Sequence, residues 1–453
     1  MSPTSPHPGA GSAGDLVARA RRVIPGGTLE ELTLPPEVQV VPARGRGSRL
    51  WDVQGREYVD YVLGGGALIL GHADPAVVEA AAAQVRDGST FSMLTRSAVE
   101  LAEELVRIIP CAEQILFAAT GAEATHFALR LARAATSRTR ILKFEGAYHG
   151  HHDYGILSVT AGRPDQMPRP VPESAGIPPR VLDEVLVAPF NDLAAVGRLL
   201  EEHPGEIAAI IVEPLQRIVE PAPGFLAGLR ELTRRHGALL VFDEVVTGFR
   251  LALGGAQEYY GVVPDLAAYG KVLGGGYPLA AVAGPASLLE RADPRASGPE
   301  ATYLSGSQFG NAVAVRAALA TVRRLQAPGV YDHLTDLGSA IRGRLQAELE
   351  AEGVPGRVLA HGPIWHVLPG CGAAGPFLDQ QGAARTSAAG IPLVTALAEE
   401  MVRRGSIVFP RPGRGYLRGY LSLAHTERDL DETAIGFRRA LQVVMRGRAR
   451  SLT

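Results

Sequence analysis

Short apolar runs separated by amphipathic stretches fill the middle of the chain. Four such runs are found, at residues 115–118, 141–144, 207–212 and 238–242. Between the last two, three leucines recur at helical spacing on one side, at Leu226, Leu229 and Leu232. Strands that are apolar throughout and alternate with helices are typical of parallel sheets buried on both faces. The pattern therefore predicts an α/β fold with a large, mostly parallel sheet that carries helices on both faces.

The two ends of the chain differ from this middle part. The first fourteen residues are rich in Ser, Pro and Gly and are predicted to be disordered. After about Gln326 the pattern indicates a helix, then weaker strands, then a final helix. We therefore expect four parts: a disordered stretch (1–14), a segment that joins the small domain (15–75), a large cofactor-binding domain (76–325) and a C-terminal, smaller α+β domain (326–453).

Composition and charge exclude several classes of function. The formal net charge of -2 gives no electrostatic footprint for nucleic acid or for an anionic membrane. The two cysteines, Cys111 and Cys371, have no metal-binding or disulfide-framework spacing. Neither a membrane-spanning apolar run nor a signal-peptide pattern is found. We expect a cytoplasmic protein without nucleic-acid or membrane partners.

Candidate chemistry lies where the predicted strands end, because ligands of open α/β sheets bind there. Thr120 and Gly121 open a helix after one strand, and its N–H groups suit a phosphate, although a plain N-cap fits equally well. Asp243 ends another strand, and its carboxylate could bond a protonated heterocyclic nitrogen or hold a metal. Lys271 follows a third apolar run between small residues, which would desolvate it and lower its pKa. A solvated loop lysine is the alternative.

These three features together meet the needs of pyridoxal 5′-phosphate (PLP). The helix start would anchor the phosphate, Asp243 would keep the pyridine nitrogen protonated, and Lys271 would form the Schiff base. Tyr148 follows the strand at 141–144 and could stack on the ring, or could be a core aromatic. We therefore predict PLP as the cofactor.

Three other functions are alternatives to this one. Residues 239–244 look like a Walker B strand, but the only Gly-Lys pair, Gly270-Lys271, lacks the rest of a P-loop, which excludes an ATPase of that type. A non-catalytic binding homologue would be expected to lose the lysine. A metal hydrolase could draw ligands from one loop, at His149, His151, His152 and Asp153. A flexible loop is a poor tetrahedral cage, so no metal site is predicted.

Eight segments along the chain form one ordered set: residues 50–55, 69–75, 120–125, 143–151, 212–214, 242–250, 269–276 and 422–427. In this order they resemble the class III (fold type I) aminotransferases, and within them the glutamate-1-semialdehyde 2,1-aminomutase branch. Each segment is modest alone, but the set is specific and covers nearly the whole chain from about Pro25. The resemblance implies a fold type I PLP transferase.

The resemblance also implies a role for each matching residue. Lys271 is similar to the lysine that forms the Schiff base and moves the proton, and Asp243 to the partner of the pyridinium. Further residues assigned to cofactor binding are Thr120, Gly121, Ala122, Tyr148, His149, Glu213, Val245 and Ser307. In the family's phosphate loop, the position of Ala122 usually carries a hydroxyl. Ser307 stands where the family has a Thr that reaches the partner subunit's phosphate, which implies a homodimer with shared active sites.

Departures from the family bear on the substrate. Thr33 replaces the Arg that binds the substrate carboxylate in aminomutases, Gly65 lies in a pocket segment that has lost a Ser and a Trp, and Leu417 replaces a pocket Glu. Thr does not reproduce a bidentate Arg–carboxylate contact. Arg411 matches an Arg that binds the carboxylate in β-amino-acid aminotransferases, although a solvated loop arginine is equally consistent. We expect amino transfer from an amino acid donor to a keto or aldehyde acceptor, with glutamate-1-semialdehyde 2,1-aminomutase as the alternative.

Overall fold

The computed structural model describes residues 12–29, 38–161, 163–372, 377 and 379–451. The chain divides into two compact units. The large unit comprises Pro75–Tyr331 and Gly375–Arg385, and the small unit comprises Met1–Asp74, Asp332–Ala374 and Thr386–Thr453.

The strands of the described residues are, in chain order, β1 (Pro42–Arg46), β2 (Arg49–Asp52), β3 (Glu57–Asp60), β4 (Gln114–Ala118), β5 (Arg140–Phe144), β6 (Val185–Ala188), β7 (Ile207–Val212), β8 (Leu239–Asp243), β9 (Leu266–Tyr269), β10 (Ala280–Gly284), β11 (Gly356–His361), β12 (Ile364–Pro369), β13 (Ser406–Ile407), β14 (Phe409–Arg411) and β15 (Tyr416–Tyr420).

The helices are α1 (Ala13–Val23), α2 (Leu63–Gly66), α3 (Pro75–Asp87), α4 (Arg96–Ile108), α5 (Gly121–Thr136), α6 (Pro179–Leu182), α7 (Leu193–Glu202), α8 (Phe225–His236), α9 (Ala256–Tyr260), α10 (Ala286–Leu289), α11 (Ala312–Leu325), α12 (Val330–Ala351), α13 (Gln380–Ser387), α14 (Ile391–Arg403) and α15 (Glu427–Ser451). Within the described part of the chain, none of them is long and apolar enough to cross a membrane.

A seven-stranded sheet organises the large unit, in the order β4-β10-β9-β8-β7-β5-β6. All neighbours pair in parallel except β10, which is antiparallel to both β4 and β9. Every residue of β7 is buried, as expected of a central strand that is covered on both faces. The predicted large, mostly parallel sheet is confirmed. The apolar pattern missed β10, because a strand of mostly alanine has no β-branched run to mark it.

The small unit contains two four-stranded sheets, β1-β2-β3-β13 and β11-β12-β15-β14. Its core is lined by residues of β12, β15, α12, α14 and α15, with Trp365 fully buried at the centre. A Cβ added to Gly419 on β15 would lie 2.2 Å from the Trp365 ring, so only glycine fits at this position. One face of β15 is therefore committed to the core.

The division of the chain differs from the predicted one at the end of the large domain, which lies at Tyr331 rather than at residue 325, and in two further places. Helix α1 begins inside the stretch predicted to be disordered, because Ser12 and Asp15 form a reciprocal capping box. Residues 1–11 lie outside the described residues. Residues 375–385 belong to the large unit rather than to the small domain. Gln380 Nε2 donates to the carbonyl of Gln216 at 2.8 Å, a long-range contact that no local pattern reveals.

Candidate active site

Six strands of the large sheet, all except β10, bring their carboxyl ends to one edge, and five of them carry predicted site residues. Strands β5, β7, β8 and β9 are parallel, and β4 runs in the same direction because both β4 and β9 are antiparallel to β10. The residues predicted from the strand ends therefore lie at this edge. They are Thr120, Gly121 and Ala122 after β4, Tyr148 and His149 after β5, Glu213 after β7, Asp243 and Val245 at β8, and Lys271 after β9.

Asp243 is held as a buried hydrogen-bond acceptor. Its Oδ2 lies 2.8 Å from Nδ1 of His149, and its Oδ1 accepts the Val245 N–H at 3.1 Å. Asp243 and His149 are 6% and 1% exposed. Nε2 of His149 is buried and has no hydrogen-bond partner among the described residues. The pair thus presents a fixed negative charge, backed by an imidazole, at the end of β8.

Glu244, next in the chain, has a different role. Its carboxylate accepts hydrogen bonds from the Thr247 hydroxyl and from the amides of Ala256 and Gln257, all within the fold. Burial raises the pKa of Glu244 to about 7. The Glu244 carboxylate already accepts hydrogen bonds from its own surroundings. Of the two neighbouring carboxylates, Asp243 is therefore the one suited to a ligand.

Tyr148 lies across the end of the neighbouring strand. Its backbone N–H donates to Glu213 Oε1 at 2.8 Å, and Arg217 approaches the same oxygen at 3.8 Å. The Tyr148 side chain is 40% exposed, which contradicts a core aromatic. An exposed aromatic ring at a strand end is suited to stacking on a planar ligand.

The start of α5 is capped by Thr120 and Glu123 and lies close to the end of β8. Thr120 Oγ1 caps the Glu123 N–H, and the Glu123 carboxylate bonds back to the Thr120 N–H. The first N–H groups of a helix have no acceptor within the helix. Among the described residues, the amides of Gly121 and Ala122 can therefore donate hydrogen bonds to an anion. A Cβ on Gly121 would lie 2.9 Å from Val245 Cγ1, which ties this turn to the end of β8.

Lys271 occupies an unusual backbone conformation directly after Gly270. Its φ of 46° lies in the left-handed region, which costs a residue with a Cβ about 1 kcal/mol. The next residues, Val272 and Leu273, are fully buried and fix the turn. Gly270 lies beside Val245 and Gly121, at 3.4 and 3.5 Å from a Cβ built there. Strain that the surrounding packing maintains is typical of functional positions.

A second lysine was missed as a functional residue. The chain has two lysines in all, Lys143 and Lys271. Lys143 is 1% exposed, and its Nζ donates to the carbonyls of Ala147 at 3.0 Å, Gly155 at 3.2 Å and Leu157. It thereby anchors the loop that carries Tyr148 and His149. Burial lowers the pKa of Lys143 to about 7. A charged residue inside the apolar run at 141–144 was the signal that could have revealed it.

We expect Lys143→Met to lower the free energy of unfolding by about 3 kcal/mol, because three buried carbonyls lose their donor. Urea unfolding followed by circular dichroism measures the change. Arg169→Met, at an exposed position of the same loop, is the control and should stay within about 0.5 kcal/mol of the wild type. Equal stability of the two variants would contradict the anchoring role.

His152 braces the loop from its other side. Nδ1 of His152 accepts the Gly155 N–H at 3.2 Å, so Nε2 carries the proton and donates to Thr125 Oγ1 at 3.2 Å. The Thr125 hydroxyl in turn donates to the His149 carbonyl. Among the residues that the structure describes, no group of three or more His, Cys, Asp or Glu side chains could hold a metal ion. Of the histidines considered for a metal hydrolase, His152 thus has both ring nitrogens engaged in hydrogen bonds.

Burial lowers the pKa of His152 to about 3, whereas the unfolded chain titrates near 6.5. Because the unfolded state binds the extra proton first, this residue's contribution is complete above pH 6.5 and is lost as the pH falls toward 3. The free energy of unfolding of the wild type should fall between pH 6.5 and pH 4. We expect this fall to be smaller by roughly 1–2 kcal/mol in His152→Gln. Denaturant unfolding of both proteins at pH 6.5 and at pH 4 measures the difference. The exposed neighbour His151, replaced by Gln, should leave the pH dependence unchanged.

The remaining predicted site residues do not follow the carboxyl ends of these strands. Ser307 is exposed and precedes α11 in the large unit. Arg411 and Gly65 belong to the small unit. The Arg411 guanidinium lies 4.2 Å from the centroid of the Phe409 ring, and a Cβ built on Gly65 would meet no atom within 4 Å. Thr33 lies outside the described residues.

Known proteins similar to this chain share its length and its fold. Residues 34–375 match the model of the family described as aminotransferase class-III. The glutamate-1-semialdehyde 2,1-aminomutase of Desulforamulus reducens is 39% identical over 431 residues, which cover 92% of this chain and 95% of that protein. An omega-transaminase from Sphaerobacter thermophilus superposes with a TM-score of 0.87 at 36% identity and covers 97% and 99% of the two chains. A transaminase with PLP bound gives 0.85 at 30% identity, with 96% and 98% covered.

Proposed function

Because the chain belongs to the class III aminotransferase family, whose cofactor is PLP, we propose that it moves an amino group from an amino acid donor to a keto or aldehyde acceptor. The observation that supports this proposal most is the convergence at one sheet edge. The buried Asp243–His149 pair, the start of α5 and Lys271 all lie there. These residues follow different strands of the sheet, so no local motif of the sequence brings them together.

The residues at this edge fit PLP. Lys271 would hold its aldehyde carbon, Asp243 its ring nitrogen, and the amides of Gly121 and Ala122 its phosphate. Tyr148 and Val245 would contact the ring. When bound, PLP supplies an electron-withdrawing ring that stabilises negative charge on a substrate carbon.

The chain's own side chains would contribute charge and proton transfer. The Asp243 carboxylate, oriented by His149 and the Val245 amide, would hold a proton on the facing nitrogen. The Lys271 amine would take a proton from the substrate carbon and return it at a second position. The left-handed backbone at Lys271 fixes the direction in which its side chain leaves the turn after β9.

The aminomutase alternative has its own support, since several relatives at 38–40% identity carry that name. Thr33 in place of the carboxylate-binding Arg argues against it. A homodimer is proposed from the exposure of Ser307 and its likeness to the family's cross-subunit residue. Light scattering of the purified protein measures the oligomeric state.

The presence of just two lysines makes a decisive experiment possible. The purified protein is loaded with PLP and reduced with borohydride, and its peptides are analysed by mass spectrometry. We expect a covalent adduct on Lys271 alone, because the Lys143 amine is buried among three carbonyls. An adduct on Lys143, or none at all, would contradict the proposed function.

The reaction itself is tested with paired substrates. L-glutamate and a β-amino acid are each supplied with a carbonyl acceptor, and 4,5-diaminovalerate is supplied alone. Conversion of the bound cofactor by the first two, together with an aminated acceptor, supports the transaminase. Engagement by diaminovalerate alone would replace it with the aminomutase.

A further inference from the structure

The Tyr148 turn comprises residues 145–148 and follows β5 directly. The Ala147 N–H donates to the Phe144 carbonyl at 3.1 Å and closes the turn. Gly146 has a φ of 82°, in the left-handed region, where a residue with a side chain would be strained. The direction in which the Tyr148 side chain leaves the turn therefore depends on how the backbone of these four residues is held.

The segment that follows β7 binds both ends of this turn. Glu213 Oε1 accepts the Tyr148 N–H at 2.8 Å, and Gln216 Nε2 donates to the Glu145 carbonyl at 2.7 Å. Both side chains are buried, and Gln216 is completely so. Two hydrogen bonds at opposite ends of a short turn restrain its orientation as well as its position.

A segment from far along the chain holds Gln216 in turn. Gln380 Nε2 donates to the Gln216 carbonyl at 2.8 Å, and Gln380 is 5% exposed. A Cβ built on Gly146 would lie 2.9 Å from Gln380 Cγ, so this side chain also packs directly on the turn. The next residue, Gln381, donates to the Glu145 carboxylate at 3.1 Å. All of these residues belong to the large unit.

The burial of Gln216 is costly for stability. Its Oε1 is buried without a hydrogen-bond partner among the described residues. An amide that is buried with one end unsatisfied carries a desolvation penalty that an apolar side chain of the same size avoids. The penalty offsets much of what the hydrogen bond contributes to folding, so the main effect of Gln216 is to direct the Glu145 carbonyl.

We infer that Gln216 and Gln380 are positioning residues, which act through the Tyr148 turn to set the orientation of the Tyr148 ring toward the cofactor. This inference rests on the proposed function, because the ring has a planar ligand to stack on only if PLP binds at this edge of the sheet. The two glutamines fix a backbone turn and take no part in the reaction itself. The family resemblance assigns no role to either of them.

The test is a double-mutant cycle on the affinity for PLP, measured by titrating the cofactor-free protein and following the absorbance of the bound cofactor. We expect Gln216→Met to raise the Kd for PLP by about 10-fold, because the Glu145 carbonyl loses its donor and the turn loses one of its two restraints. In a Tyr148→Leu background, which has no ring to orient, the same change should alter the Kd by less than about twofold. An equal effect in both backgrounds, or none in either, would overturn the inference.

Gln380→Met is a second variant, which disturbs the core less because Gln380 is not completely buried. It keeps the packing on Gly146 but removes the donor to the Gln216 carbonyl, and it should raise the Kd by about threefold. Gln346→Met is the control, since Gln346 Oε1 also binds the backbone, at the Val358 N–H, but in the small unit. This control should lower the melting temperature and leave the Kd unchanged. If the Kd simply follows the melting temperature in all three variants, the glutamines are structural and the inference is overturned.

Amide hydrogen exchange of the cofactor-free protein gives a readout that needs no reaction. In Gln216→Met, a peptide that covers residues 145–150 should exchange at least about tenfold faster than in the wild type, whereas peptides of β11 and β12 should be unchanged. Unchanged exchange at residues 145–150 overturns the inference. If the Lys271 adduct forms and amino transfer proceeds but the cycle shows no coupling to Tyr148, only the positioning role fails. If no adduct forms, the proposed function fails, and the inference that rests on it fails as well.

Discussion

Lys271→Ala is expected to lower kcat by at least about 10³-fold, because the variant loses both the amine that would hold the cofactor and the base that would move the substrate proton. The remaining lysine, Lys143, cannot substitute, since its amine is buried and bound to three carbonyls. Steady-state kinetics with the best donor and acceptor measure the loss.

Two further measurements separate chemistry from folding in this variant. The melting temperature should not fall. Lys271 occupies a left-handed backbone conformation, and alanine would have the same backbone strain there because both residues carry a Cβ. PLP should still bind through Asp243 and the start of α5, but borohydride should trap no adduct. Multiple turnover at more than a tenth of the wild-type rate would contradict the assigned role.

Asp243→Asn is expected to lower kcat by about 10²–10⁴-fold, because a neutral amide cannot hold a proton on a ring nitrogen by charge. Asparagine has nearly the same shape, and its oxygen can still accept a hydrogen bond from His149 or from the Val245 amide. The loss should therefore be one of chemistry and cofactor electronics rather than of packing. The kinetics are measured alongside the absorption spectrum of the bound cofactor, which should shift in this variant.

Asp183→Asn is the matched control, since Asp183 is exposed in the same unit. It should leave both the rate and the spectrum unchanged. A normal spectrum and rate in Asp243→Asn would show that this carboxylate does not face the cofactor. Unfolding of the variant under native conditions would instead assign Asp243 a structural role with His149.

Much of the fold followed from the sequence because its signals are local. The apolar runs that became β4, β5, β7 and β8, and the leucine spacing that became α8, report which residues avoid water, and this fixes the type of each element. Strand ends are local features as well, so Asp243 and Lys271 could be chosen as candidates before any contact was known. The ordered segments then identified the family and, with it, PLP. The individual site roles remain predictions.

The tertiary structure determines which distant residues contact each other, and the periodicity of the sequence does not encode this. His149 and Asp243 are 94 positions apart, and only the order of the sheet strands places them 2.8 Å from each other. The reversal of β10, the return of residues 375–385 to the large unit and the carbonyl anchors of Lys143 are equally long-range or three-dimensional facts. Arg418 on β15 is one of several arginines near the C-terminus, and its neighbours along the chain do not mark it as buried. Burial against Phe409 and Tyr420, without an acid among the described residues, is a result of packing, because the sequence specifies the side chain but its neighbours determine whether its charge is compensated.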